Sequence, residues 1–276
     1  MYPTPVYDAA LFDRLLAILK LPDSPPSIDA LREITRAFLC RIPFENISKL
    51  YYRNRNGTHR RSSFEEFLDG VVRYNLGGTC YTNNYYLHLL LKYLDYDTRL
   101  CGADMSRPDV HLVNVVTLDG NEYLVDAGYA APFFTPMSLD LNHNWEFSLG
   151  RDRFVLCPKD GDGRSRMQMF RDGIVRHSYS INPMPRRIEE FFGVIDHSYT
   201  DEATFMNSLL LVRFFDNQSI AINNLDIIES IGNTVTVSRI ADRALLPAAI
   251  ERLFGIPEEI SRVAILKLGE LGDAWT

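Results

Sequence analysis

Apolar positions along the first third of the chain recur at helical spacing. In "DAALFDRLLAILK", Leu11, Leu15, Ile18 and Leu19 share one stripe, which predicts an amphipathic helix. Pro22, Pro25 and Pro26 interrupt the pattern, and Ser27 stands at a cap position before a second helix, "IDALREITRAFLC". "RIPFEN" ends that helix, because the residue before a proline is pushed out of helical backbone. "SFEEFLDGVVR" opens with Ser63 and Glu66 at capping-box spacing. The segment Cys80 to Leu94 is apolar on most sides, as a buried helix should be.

Near Asp97 the period changes from helical to alternating. "DTRLCGADM", "DVHLVNVVTL" and "NEYLVDAGY" read as strands, with Asp119-Gly120 as a hairpin turn. Further strands are predicted around "RFVLCP", "MQMF" and "IVRHSYSI". From Arg187 the pattern mixes a helix, "RIEEFFGVIDHSY", with the strands "SLLLVRFF", "SIAINN" and "NTVTVSRI". Two helices follow, from Ala241 and from Pro257. The expectation is an α+β fold in three parts, 1–95 helical, 96–186 β and 187–276 mixed, with no flexible linker between them.

Composition changes this picture little. The 276 residues are 46% hydrophobic and 24% charged, ordinary for a globular chain with a real core. A formal net charge of -7 argues against a general nucleic-acid binder, though not against a local basic pocket for a phosphorylated ligand. Cys40, Cys80, Cys101 and Cys157 are widely spaced, neither a disulfide framework nor a metal motif. The stretch "MYPTPVYDAALFDRLL" lacks a basic region followed by an apolar run, and no apolar run is long enough for a membrane span. Free thiols in the cytoplasm, no metal and no membrane contact are therefore expected.

"NLGGTC" then raises the question of a nucleophile. A thiol of ordinary pKa is mostly protonated at neutral pH, so a catalytic cysteine needs a device that favours the thiolate. The first turn of a helix is such a device, and its N–H groups can also hold an oxyanion. Gly77 and Gly78 permit close backbone approach, Thr79 stands at the N-cap, and Cys80 is the first helical residue. The plainer alternative is a small buried residue at a helix start. The hairpin adds geometry. A two-residue turn at Asp119-Gly120 sets Leu118 opposite Asn121, which carries Asp126 opposite Val113. His111 is then a diagonal neighbour of Asp126, roughly 5–8 Å away at Cβ. A carboxylate in the apolar strand "YLVDAG" is expensive unless paired, and His111 is the nearest partner. The alternative is an aspartate that merely starts the turn before Gly128.

These residues resemble the arylamine N-acetyltransferases. Four stretches carry the resemblance in order: "RIPFENI", "GGTCYTNN", "DVHLVNVV" and "YLVDAG". The resemblance is clear over roughly residues 32–134. It implies a helical bundle, a central antiparallel β-barrel and an α/β lid around a core like that of cysteine proteases and transglutaminases. It places the nucleophile, base and orienting acid on Cys80, His111 and Asp126. It implies two-step acetyl transfer from acetyl-CoA, through a Cys80 thioester, to an arylamine, hydrazine or hydroxylamine, with no tightly bound cofactor. Val110, Gly128 and Tyr129 are expected beside the substrate.

The chain departs from the family pattern at Leu76, where an arginine is usual, at Thr82, where Glu or Gln is common, and at Ala130, where a second glycine is usual. Without that arginine, Glu45 is expected to turn to Arg41 or Arg73 or to stay solvated. "YYRNRNGTHRR" reads as a solvated basic loop, with CoA phosphates as the alternative role. His88 reads as a packed core residue, and His59, His143, His177 and His197 carry no matched context. Tyr81 stands where it can touch substrate. Two other readings stay open: an amide synthase or other thiol acyltransferase or hydrolase using the same triad, and a non-catalytic member that binds an acyl or aromatic ligand. Oligomeric state is not legible.

Overall fold

The computed structural model describes residues 8–272. Residues 1–7, part of the stretch read for a leader, and 273–276 lie outside the described residues. Helix α1 (Ala9–Leu19) is capped by Asp8, whose carboxylate accepts from Ala10 N. Helix α2 (Ile28–Arg41) is capped by Ser27, which accepts from Ala30 N. A two-residue strand β1 (Phe44–Glu45) follows, then α3 (Ile47–Asn56), α4 (Phe64–Tyr74) and α5 (Cys80–Tyr93). Ser63 and Glu66 close the expected capping box on α4.

Helix α3 takes the first half of "YYRNRNGTHRR", expected as a basic loop, and only residues 57–61 are irregular. Its residues Tyr51–Asn56 are helical, and Asn54 donates to Val263 O and Ala264 O. Arg53 pairs with Asp201 and Arg60 with Glu66. Arg61 is buried and stacks over the Tyr85 ring at 4.1 Å. Ion pairs and aromatic faces absorb the charge that the local pattern assigned to water. The core beneath these helices is apolar and closely shielded, with Phe12, Phe38, Leu68 and Leu90 at most 1% exposed. Each such side chain contributes about 1.5–3 kcal/mol on burial.

The middle of the chain forms an eight-stranded antiparallel sheet from β2 (Asp97–Asp104), β3 (His111–Leu118), β4 (Asn121–Val125), β5 (Met137–Ser138), β6 (Trp145–Leu149), β7 (Asp152–Leu156), β8 (Arg166–Arg171) and β9 (Ile174–Arg186). The β3–β4 register is the one predicted, Leu118 opposite Asn121, because Asp119 and Gly120 both take positive φ, 51° and 77°, as a tight hairpin turn requires. The closed barrel is not found. Strand order runs openly, β5-β4-β3-β2-β9-β8-β7-β6, with two edges. Register breaks between Cys101 and Ala103 and between Met169 and Phe170 curl the sheet into a half-barrel. The two-residue β5 offers too little ladder for β6 to close on.

Beyond β9 come a 3-10 turn (Ile188–Phe191), α6 (Phe192–His197) and α7 (Thr204–Asn207), so the single helix expected from "RIEEFFGVIDHSY" is a turn and a short helix. Strands β10 (Leu210–Phe215), β11 (Gln218–Asn223), β12 (Asp226–Ile231) and β13 (Thr234–Arg239) form a meander, and α8 (Leu246–Phe254) and α9 (Glu258–Ile265) follow. β1 joins this second sheet beside β10, Phe44 opposite Val212. Asn46 fastens the same stretch, donating to Ser208 O and accepting from Leu210 N. No described helix is long and apolar enough to cross a membrane.

Candidate active site

Cys80 begins α5, with Thr79 at the N-cap, although the Thr79 side chain makes no cap bond. The two glycines before it are required by space. A Cβ on Gly77 would fall 2.0 Å from Pro43 O, and one on Gly78 2.6 Å from Thr82 Cβ. Glu45 holds this loop. Its carboxylate accepts from Gly77 N at 2.9 Å and from Ser48 N at 2.8 Å. Neither Arg41 nor Arg73 pairs with it: Arg41 donates to Val71 O and Arg73 pairs with Asp69. Glu45 is wholly buried, and burial pushes its carboxyl above the usual range despite those hydrogen bonds. Leu76 itself is 2% exposed, so the position that usually bears an arginine is part of the core.

His111 opens β3 and Asp126 follows β4. His111 Nε2 lies 2.9 Å from Asp126 Oδ2, both side chains almost fully buried. Asp126 Oδ2 also accepts from Tyr179 OH at 2.8 Å. Its Oδ1 accepts from Asn84 Nδ2 at 2.8 Å and from Gly128 N at 2.9 Å. Burial alone would raise this carboxyl, but His111 and these donors outweigh it and hold it below the usual range. Burial works against protonating His111 too. Asp126 overrides it, with the neighbouring Cys80 side chain adding to the rise, and the ring is pushed up to about 10. Asp126 occupies Nε2, which leaves Nδ1 for the sulfur.

Three segments meet here because their backbones approach closely. A Cβ on Gly128 would fall 2.6 Å from Cys80 Cα and 2.7 Å from Asn84 Nδ2. Asn84 ties the helix to the sheet: it donates to Leu112 O and Asp126, and accepts from Ala127 N at 2.7 Å. Sequence reasoning passed over Asn84, although it lies one helical turn from Cys80 and therefore on the same face. It also passed over Tyr179, for which no local signal exists.

A cavity of about 700 Å³ opens onto Cys80 and His111. Val110, Gly128 and Tyr129 line it, and so does Tyr81. Tyr129 packs as well, stacking on Phe133 at 5.7 Å and sharing a 2.8 Å hydrogen bond with His177 Nδ1. His177 and His197, set aside in the sequence, also line the cavity. His88 is buried away from it, 7% exposed, and burial pulls its ring down to about 3. All four cysteines are free. Among the described residues no group of three or more His, Cys, Asp or Glu side chains is placed to hold a metal ion.

A family model described as N-acetyltransferase matches residues 27–263. An N-malonyltransferase of Fusarium pseudograminearum is 27% identical over 159 residues, 45% of this chain and 45% of that protein, so the aligned stretch spans under half of that relative. Human arylamine N-acetyltransferase 1 is 26% identical over 204 residues, 66% of this chain and 69% of that one. Among solved structures, the Mycobacterium marinum arylamine N-acetyltransferase in complex with CoA superposes with a TM-score of 0.78 at 20% identity, covering 93% of this chain and 99% of that one. That likeness is one of fold, including the curled antiparallel half-barrel. The family match over most of its length shows that this chain belongs to the arylamine N-acetyltransferase family.

Proposed function

We propose that the protein is an acyltransferase that moves an acyl group from a CoA thioester, acetyl-CoA in the first instance, through Cys80 to an arylamine, hydrazine or arylhydroxylamine. The observation that carries this reading is the His111–Asp126 pair, 2.9 Å apart, lying with Cys80 at the wall of one cavity. In the first half-reaction Cys80 Sγ attacks the thioester carbonyl while its proton resides on His111. The C–S bond to CoA breaks, and the CoA sulfur takes that proton. In the second, the amine nitrogen attacks the Cys80 thioester, His111 accepts its proton, and the Cys80 sulfur leaves. Asp126 keeps the ring oriented through both steps. N–H groups at the start of α5, at the positive end of the helix dipole, favour the oxyanion of each tetrahedral intermediate. Val110, Gly128 and Tyr129 shape the space in which the acyl group and the amine alternate.

Intact-protein mass spectrometry after brief mixing with acetyl-CoA tests this, with Cys80→Ala beside the wild type. The expected result is one acetyl group on the wild type alone, discharged by an added arylamine. A folded wild type that stays unmodified with acetyl-CoA and with longer thioesters would overturn the reading in favour of a non-catalytic binding protein.

A further inference from the structure

The cavity at Cys80 is basic on a chain that is acidic overall. Its lining includes Lys49, Arg107, Arg176 and three histidines, and no aspartate or glutamate side chain, against a formal net charge of -7. Arg107 and Arg176 are exposed, where solvent screens them. Lys49 is different. It comes from the first turn of α3 and is 8% exposed. Its Nζ donates to Ser198 Oγ at 2.7 Å and lies 4.2 Å from the centre of the Tyr199 ring. It is paired with no carboxylate among the described residues. An ammonium carries three donors, and one hydroxyl and one aromatic face satisfy only part of them.

Burial pulls Lys49 down to about 7, with the nearby Cys80 sulfur opposing that shift and Arg53 adding to it. A methionine would fill the same space without the desolvation cost. What a lysine adds is a charge in the cavity wall, on a face where the lining supplies the Cys80 sulfur but no carboxylate.

We propose that Lys49 is a specificity-determining residue for a substrate carboxylate that enters the cavity beside Cys80. The inference rests on the acyl-transfer reading above and names the substrate class for that same site. In a two-step transfer the donor's acyl group and the acceptor visit one cavity in turn. The carboxylate therefore has two possible sources: a donor built on a dicarboxylic acid, such as malonyl-CoA, or an acceptor such as an aminobenzoate. Both would pair with the same ammonium. A lysine that served only the Cys80 sulfur would instead affect every substrate equally.

The test compares wild type with Lys49→Met, and with Lys49→Gln, which keeps a donor toward Ser198 without the charge. For each, kcat/KM is measured with malonyl-CoA against acetyl-CoA, and with 4-aminobenzoate against aniline. Loss of the charge should lower one of these two ratios about 10- to 100-fold. A fall in the donor ratio places the carboxylate on the acyl group, and a fall in the acceptor ratio places it on the amine. Equal losses across all four substrates, or no loss, overturn the proposal. Should no thioester load Cys80, the acyl-transfer reading fails by itself. Calorimetry with malonate and benzoate then decides the carboxylate site: binding to wild type weakened at least about tenfold by Lys49→Met supports it, and equal or absent binding overturns it.

Discussion

Asp126 and Glu45 are both buried carboxyl groups, 1% and 0% exposed, and both hold the helix that begins at Cys80. Asp126 does so through Asn84, and Glu45 through Gly77 N. Their electrostatics nevertheless run in opposite directions. Asp126 faces His111 and accepts from Tyr179, Asn84 and Gly128, and its carboxyl is held low. Glu45 accepts from Gly77 N and Ser48 N without a cation, and burial pushes it high. Hydrogen bonds from neutral donors satisfy the lone pairs of a buried carboxylate, but they do not replace a partner that carries charge. The difference separates a charged pair suited to orienting a base from a carboxyl suited to holding a loop.

The largest effect expected from this contrast is on Asp126→Asn. The substitution keeps the shape, removes the charge and turns an amide toward donors that now lack an acceptor. Acyl transfer should fall by about 10³–10⁴-fold in kcat/KM, measured by steady-state release of CoA. Stability at neutral pH should fall by about 3 kcal/mol in urea unfolding. A loss of activity below about tenfold would mean that His111 is oriented without Asp126.

A smaller effect, with a diagnostic sign, is expected for Glu45→Gln. One of its two acceptor contacts is lost, at a cost of about 1–2 kcal/mol. The folded-state carboxyl of Glu45 lies above its ordinary 4.5, so its contribution is full below that value and is lost as pH rises through the raised one. Asp126 lies below its ordinary 3.8, so its contribution is full above that value and is lost as pH falls through the lowered one. Urea unfolding across pH should therefore show the gap between wild type and Glu45→Gln narrowing as pH rises. The gap to Asp126→Asn should narrow as pH falls. If both gaps move in the same direction, the contrast between the two carboxyls is wrong.

The smallest effect lies in the loop that follows Asp126. Ala130 takes φ of 60°, a left-handed conformation that costs a residue with a Cβ. Ala130→Gly relieves that strain but frees the unfolded chain, so a net gain of about 0.5 kcal/mol is expected. A thermal melt should rise by about 1–2 °C. The loop that follows Glu45 has no such residue, since it runs directly into α3.

What the sequence by itself determined was local. Ser27 and Ser63 mark helix starts because a cap acts within three residues. Asp119-Gly120 sets the β3–β4 register, and with it the approach of His111 to Asp126, because a two-residue turn leaves the pairing no freedom. Gly77, Gly78 and Cys80 mark the start of α5 for the same reason of short range.

Tertiary structure alone decided the rest. Tyr179 reaches Asp126 across 53 positions, and Lys49 reaches Ser198 across 149. Glu45 turns to Gly77 N because β1 lies against the loop ahead of α5, and the half-barrel stays open because β5 is short. His177 meets the cavity only because β9 returns beside β2. Periodicity reports which face of an element is buried. It carries no information about which distant element arrives there, and partners set by that arrival become visible only once the chain is folded.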